Sequence, residues 1–243
     1  MSERLQRIEL LMGTEALDRL GNLRVAIFGV GGVGSVCAES LIRSGVKHLT
    51  LVDSDCVVES NINRQLPALS STLGKPKVNV LANRFADINP DANVTPIQAR
   101  YECGHGVMPT DGSASDFRFE NYDVVVDAID SLAHKIDLLA RAHEVGCKVY
   151  CSLGAARKLD PTKVRSASIW ETHGCPLGKL VRNGLRKRGF SGDFMAVYSE
   201  EKFQSFAPTQ SLEKCPLGSA MPVTATFGLT LSSLVIRSCL TTF

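Results

Sequence analysis

Several short stretches carry residue types suited to phosphate chemistry. Gly29-Val-Gly-Gly-Val-Gly34 is a glycine turn: Gly29 suits a tight turn, Gly31 and Gly32 let backbone N–H groups approach phosphate oxygens, and Gly34 lets a following helix pack close to a sheet. Asp53 comes after the next apolar run, where a carboxylate can accept hydrogen bonds from ribose hydroxyls. Asn61-Ile-Asn-Arg-Gln65 follows, and its Arg64 can fork onto phosphate oxygens. Lys77, just past Gly74, opens a helical stretch at the end where a cation opposes the helix dipole, so a phosphate is a fitting partner. Asp127 and Asp130 close a valine-rich run, and a carboxylate there suits magnesium. Taken singly, these residues have ordinary roles: Arg64 in a surface ion pair, Lys77 on a solvated helix, Asp130 with Ser131 as a helix N-cap. Their order behind the glycine turn favours a triphosphate site. The turn alone does not separate ATP from NAD, so an NAD-dependent oxidoreductase and a non-catalytic nucleotide-binding scaffold stand as rivals.

The elements needed to position these groups can be read from periodicity. Residues 24–28 and 48–52 are short β-rich runs, and 33–44 has a helical stripe of Val33, Val36, Cys37, Leu41 and Ile42. Residues 75–89 repeat the helical spacing with Val78, Leu81, Phe85 and Ile88, and 93–98 fits a third strand. The run 122–129 reads as a parallel strand buried on both faces, followed by a helix over 131–145 and strands at 148–152, 164–170 and 195–198. Residues 55–74 form a long loop, 102–120 read as a poorly constrained insertion, 176–188 as a basic helix and 218–240 as a buried core helix rather than a membrane span. This alternation predicts an α/β fold: a Rossmann-like, doubly wound, mostly parallel sheet with an elaborated C-terminal half.

Composition sets the outer bounds. The 243 residues fit one domain, with a helical arm at 1–22, a nucleotide-binding core at 23–155 and a substrate-facing part at 156–243. Hydrophobic residues make up 44% and charged residues 21%, which excludes a disordered, collagenous or coiled-coil chain. Twenty-seven basic and 25 acidic residues give a net charge of +2, so any nucleic-acid contact must come from a local patch. Residues 1–13 lack an apolar signal core, so the expectation is a cytoplasmic protein with no membrane span and reduced thiols. The eight cysteines contain no CxxC pair. Cys37, Cys147, Cys151 and Cys239 read as core residues, Trp170 and His173 as structural, and the repeated Cys175-Pro-Leu-Gly178 and Cys215-Pro-Leu-Gly218 complete no zinc set.

The glycine turn, Asp53 with Asp55, Asn61-Ile-Asn-Arg-Gln65, Gly74-Lys-Pro-Lys77 and Asp127-Ala-Ile-Asp130 together resemble the ubiquitin-activating-enzyme-like (ThiF/MoeB-like) superfamily, whose members adenylate a carboxylate with ATP and Mg2+. Within it the chain is similar to the bacterial tRNA threonylcarbamoyladenosine dehydratase group. The features shared with that group are Arg7-Ile-Glu-Leu-Leu-Met-Gly13, Asp130-Ser131 with Lys135, Leu159-Asp-Pro-Thr162, the 176–189 stretch and Gly218-Ser-Ala-Met-Pro222. The resemblance implies that Asp53 and Asp55 hold the ribose region, that Asn63, Arg64, Gln65 and Lys77 contact phosphates, and that Asp130 binds magnesium. Asp127, Ser131 and Lys135 join the nucleotide site. It also implies a homodimer in which Arg7 reaches the partner's nucleotide.

The implied substrate is tRNA carrying threonylcarbamoyladenosine, with Arg64, Lys77, Asp130 and Arg7 supporting adenylation of its carboxylate before an intramolecular ring closure. Lys179, Arg182, Arg186, Lys187 and Arg188 then offer a basic face to the tRNA, the plainer reading being a solvated helix. The alternative within the superfamily is an adenylyltransferase for a ubiquitin-like sulfur carrier. The missing CxxC pairs argue against it. A sulfur-relay partner is compatible with the superfamily, but Ala196 stands before Val197-Tyr-Ser-Glu200 where some relatives carry cysteine, which argues against a thioester step there.

Overall fold

The computed structural model describes residues 3–202 and 217–240. Two short helices, α1 (Gln6–Met12) and α2 (Thr14–Asn22), lead into β1 (Arg24–Phe28), α3 (Gly34–Arg43) and β2 (His48–Val52). After a long connection come α4 (Lys77–Ile88), β3 (Asn93–Ile97), β4 (Ala99–Glu102), β5 (Gly106–Pro109), β6 (Val124–Asp127), α5 (Leu132–Glu144) and β7 (Lys148–Ser152). The remainder comprises β8 (Val164–Ser168), α6 (Pro176–Lys187), β9 (Met195–Ser199) and α7 (Met221–Arg237).

Seven strands form one sheet in the order β3-β2-β1-β6-β7-β9-β8, parallel throughout except for β8, which runs against β9 at the edge. The expected doubly wound α/β architecture is therefore present. The order in which strands are added reverses between β1 and β6, the switch point outside whose strand ends such folds open a crevice. Alternating side chains feed two cores. Val25, Ile27, Val124 and Val126 pack with Cys37, Leu41, Leu81, Phe85 and Phe227. Ala26, Phe28 and Val125 pack on the other face with Leu138, Leu139, Val181 and Leu185. Val124, Val125, Val126 and Asp127 are all buried, as a central parallel strand requires.

Helix α7 is the core helix expected at 218–240, and among the described residues no helix is long and apolar enough to cross a membrane. It crosses α3 so closely that a Cβ on Gly228 would lie 2.5 Å from the Val33 carbonyl oxygen. Ser232 Oγ donates to Ser40 Oγ at 2.8 Å across the same contact.

The 102–120 stretch corrects the sequence expectation. β4 and β5 pair as an antiparallel hairpin, and Phe117 and Phe119 pack on Phe28 with ring centroids 5.4 and 6.0 Å away. The aromatic alternation Phe117-Arg-Phe119 was the signal of an anchored segment.

Two glycines in the turn after β1 are sterically required. Gly29 has φ +82°, and an added Cβ would meet Ala128 O at 2.7 Å. A Cβ on Gly34 would sit 1.8 Å from Gly29 O, which is backbone and has nowhere to go. At Gly31 the nearest atom would be Gln65 Nε2 at 3.6 Å, an ordinary contact. Gly34→Ala should therefore cost about 3 kcal/mol or more of stability, while Gly31→Ala costs less than about 1 kcal/mol. Urea unfolding midpoints check this, and equal midpoints for the two variants would refute it.

Candidate active site

The sheet places a cleft of about 540 Å³ at the C-terminal ends of β1, β2 and β6, a size suited to a nucleotide. Gly29, Gly31, Gly32, Asp53, Asp55, Arg64, Gln65, Lys77, Asp130 and Ser131 all line it. Residues spread over a hundred positions of sequence are brought to one wall by the parallel topology.

Asp53 ties the turn to β2. Its carboxylate accepts from Val30 N at 2.7 Å and Asp55 N at 2.8 Å. Burial pushes its carboxyl above the usual range, against the pull of those donors. Lys77 is buried rather than solvated, and its Nζ lies 2.8 Å from Asp55 Oδ2, whose side chain is largely exposed. Asp55 thus pairs with the lysine at the cleft. Arg64 differs from Lys77. Its Nη1 donates to Ser60 O and Asn63 Oδ1, both at 2.8 Å, and it has no carboxylate partner among the described residues. Its charge is oriented by neutral acceptors and remains open to an anion. Asn63 does not line the cleft: it aims Arg64, and its Nδ2 donates to Ser219 O at 2.8 Å. Gln65 is buried with its Oε1 unpaired, the kind of orphaned polar atom that a ligand completes.

Two expected nucleotide contacts lie beneath the cleft instead of in it. Asp127 and Lys135 are fully buried and form an ion pair, Nζ to Oδ2 at 2.5 Å. Lys135 also donates to Ser152 O at 3.0 Å, and Asp127 Oδ1 accepts from Ile129 N at 3.1 Å. Burial disfavours the ammonium, but Asp127 outweighs it and raises Lys135 above the usual lysine range. The pair fixes the 128–131 loop, a positioning task rather than ligand contact. Gly34 is likewise a packing residue and not part of the cleft lining. Ser131 precedes α5, yet its hydroxyl makes no capping bond. Asp130 is exposed at the cleft with no ion-pair partner among the described residues, so it is available to a cation.

Arg7 is exposed on α1 and does not line the cleft of its own chain. The basic helix is realised as α6, but its cations face different ways. Lys179 and Lys187 are exposed, and Arg186 lies 5.2 Å over the Trp170 ring. Arg182 donates to Thr172 Oγ1. Arg188 is exposed as well, but unlike the two lysines it is paired, its Nη1 reaching the buried Asp137 Oδ1 at 2.5 Å.

Sequence reasoning missed Arg100, Tyr101, His134 and Thr224, all of which line the cleft. Three of these come from the hairpin or the helix beside it, next to the stretch read as unconstrained. His173, read as structural, lies 3.1 Å from Glu200 through Nε2. Cys37, Cys147, Cys151 and Cys239 are buried as expected, and Cys215 lies outside the described residues. No cluster of three or more His, Cys, Asp or Glu suited to a metal occurs among the described residues.

Breaking one side of the buried pair should be worse than removing both. Lys135→Met should cost about 3–5 kcal/mol by leaving Asp127 charged and alone, and adding Asp127→Leu should recover part of that loss. Thermal and urea unfolding of the single and double variants check this. A double variant weaker than Lys135→Met would overturn it.

The chain matches the ThiF family over residues 3–242. It is 41% identical over 201 residues to the tRNA threonylcarbamoyladenosine dehydratase of Bacillus subtilis, covering 83% of this chain and 76% of that one. It is 36% identical to the dehydratase of the same name from Haemophilus influenzae, covering 93% and 89%. The Escherichia coli tRNA N6-threonylcarbamoyladenosine dehydratase solved in complex with ATP superimposes with a TM-score of 0.80 at 29% identity, covering 98% of this chain and 93% of that one. The family model spans nearly the whole chain, and the chain belongs to the ThiF family.

Proposed function

We propose that this protein uses ATP to adenylate the carboxylate of threonylcarbamoyladenosine in tRNA and then closes a ring with release of AMP. The observation that carries the reading is Arg64: a cleft-lining guanidinium held by two neutral oxygens, with no carboxylate partner among the described residues. The kinship with dehydratases supplies the substrate class.

The adenosine end lies along Asp53 and the β2 terminus, and the phosphates face the turn N–H groups, Arg64 and Lys77. Carboxylate oxygen attacks the α-phosphorus and pyrophosphate leaves. Arg64 and Lys77 stabilise the charge that develops, so no protein nucleophile is needed. The ureido group of the same substrate then attacks the activated carbonyl, expelling AMP. Because attack is intramolecular, the effective concentration is high, on the order of 10⁵ M in favourable cases.

The donor set fits magnesium: Asp130 is an exposed hard-oxygen ligand with no ion-pair partner among the described residues, and magnesium commonly binds one or two carboxylates together with substrate phosphates. When bound, the ion would withdraw charge from the leaving pyrophosphate. Arg7, exposed and not among the residues lining its own cleft, is assigned to the partner's phosphates in a homodimer. Lys179, Arg186 and Lys187 are assigned to tRNA phosphates. A sulfur relay through β9 finds no support, since Ala196 is fully buried in the sheet.

Incubating the protein with ATP, magnesium and modified tRNA should yield a nucleoside lighter by one water in mass spectrometry. An unchanged nucleoside with pyrophosphate release only on adding a carrier protein would favour the adenylyltransferase reading. Arg64→Ala should slow adenylation by about 10³-fold with the fold intact. Chelation of magnesium should stop pyrophosphate release, and adding the ion back should restore it. Mixing Arg7→Ala with Arg64→Ala chains should restore activity, because mixed dimers keep one complete site; no recovery would remove Arg7 from the partner's cleft.

A further inference from the structure

The last cation of the basic stretch, Arg188, is exposed at the end of α6 yet paired with a buried carboxylate of α5. Asp137 is 3% exposed and sits at the centre of a small network. Its Oδ1 takes Arg188 Nη1 at 2.5 Å, and its Oδ2 takes the Tyr101 hydroxyl at 2.7 Å. Gly104 N approaches the same Oδ2 at 3.4 Å, and Cys103 N donates to His134 Nδ1 at 2.9 Å, one turn earlier on α5. The β4–β5 hairpin is thereby pinned to α5 at its turn. Tyr101 and His134 both line the nucleotide cleft, and the Tyr101 ring meets Phe28 edge-on at 5.7 Å.

We propose that Arg188 is a positioning residue for the nucleotide cleft: through Asp137 it fixes Tyr101 and the hairpin wall, and it is not part of the RNA-binding face. The proposal rests on the reading of the cleft as an ATP site. Docking of α6 on α5 does not require the ion pair. At Gly184 the two helices already touch so closely that a Cβ would overlap Ile136, and Val181 and Leu185 are fully buried. What the pair adds is a counter-charge for a carboxylate whose other oxygen holds the cleft wall. Burial works against that carboxylate, yet Tyr101 and Arg188 outweigh it and keep Asp137 below the usual range, so the anion that anchors Tyr101 persists at neutral pH. Remove the guanidinium and the buried anion keeps only the neutral Tyr101 and Gly104 donors directly on it, with Arg141 left as the cation near the Tyr101 hydroxyl, which favours movement of Asp137 toward water and away from that hydroxyl.

The test is ATP titration by calorimetry without tRNA, paired with tRNA binding across a salt series. Arg188→Ala and Tyr101→Phe should each raise the ATP dissociation constant about tenfold, and the double variant should go little further because both act on one link. Arg188→Lys, which keeps a donor and a charge, should recover most of the affinity. A loss of folded protein would lower the binding stoichiometry and leave the dissociation constant alone, so the readout separates positioning from general stability. In tRNA binding, Arg188→Ala should keep the wild-type salt slope, whereas Lys179→Ala should flatten it by about one unit. An unchanged ATP constant in Tyr101→Phe, which keeps the ring and drops only the hydroxyl, overturns the proposal even if Arg188→Ala fails to fold. So does a flattened salt slope with unchanged ATP affinity in Arg188→Ala. If the wild-type chain itself takes up no ATP, the nucleotide reading of the cleft falls instead.

Discussion

The turn after β1 and the loop after β6 approach until no side chain fits between them. Gly29 faces the Ala128 carbonyl and Gly34 faces the Gly29 carbonyl, so α3 begins almost in contact with the strand it follows. This backbone-on-backbone packing holds the turn, whose Gly31, Gly32 and Val33 line the cleft, against the loop after β6. Asp53 secures the turn from one side through Val30 N, and the Asp127–Lys135 pair secures the opposing loop from below. The cleft is therefore bounded on two sides by main chain held in place by carboxylates, of which Asp53 also lines the cleft and Asp127 does not.

The cations around the cleft are graded by what already neutralises them. Lys135 is fully buried and committed to Asp127, Lys77 shares Asp55 at the rim, and Arg64 is steered by neutral oxygens. A buried charge needs a partner to be tolerable at all, whereas a charge meant for an incoming phosphate must be oriented without being quenched. The same logic separates Lys179 and Lys187 from Arg188: all three are exposed, but Arg188 is paired with the buried Asp137.

The strands and helices of the nucleotide half were legible because each has a clean period. The stripe of Val78, Leu81 and Phe85 and the valine run of β6 are both buried as read. The glycine turn, Arg64, Lys77 and Asp130 were also legible, since type and order suffice there. Burial depth was not. Asp127 and Lys135 lie eight positions apart on a strand end and a helix, and whether such a pair faces ligand or core is decided by rotation about the helix, which a motif does not encode. The hairpin was missed because glycine, serine and aspartate mask the aromatic spacing that anchors it, and with it went Tyr101 and Arg100. The pairing of Arg188 was not legible, because helical spacing predicts which residues share a face, but its partner, Asp137, comes from another helix.

Helix α7 has a bearing on the order in which the molecule comes together. It covers α3, donates from Ser232 to a serine 192 positions earlier, and places Thr224 in the cleft lining. During synthesis the first βαβ unit emerges long before this cover exists, so Cys37, Leu41 and the rest of that helix face stay wet while most of the chain is still being made. Closure of the phosphate end is thus a late event in biogenesis, and a nascent chain halted before residue 221 would hold its glycine turn without the helix that seals it.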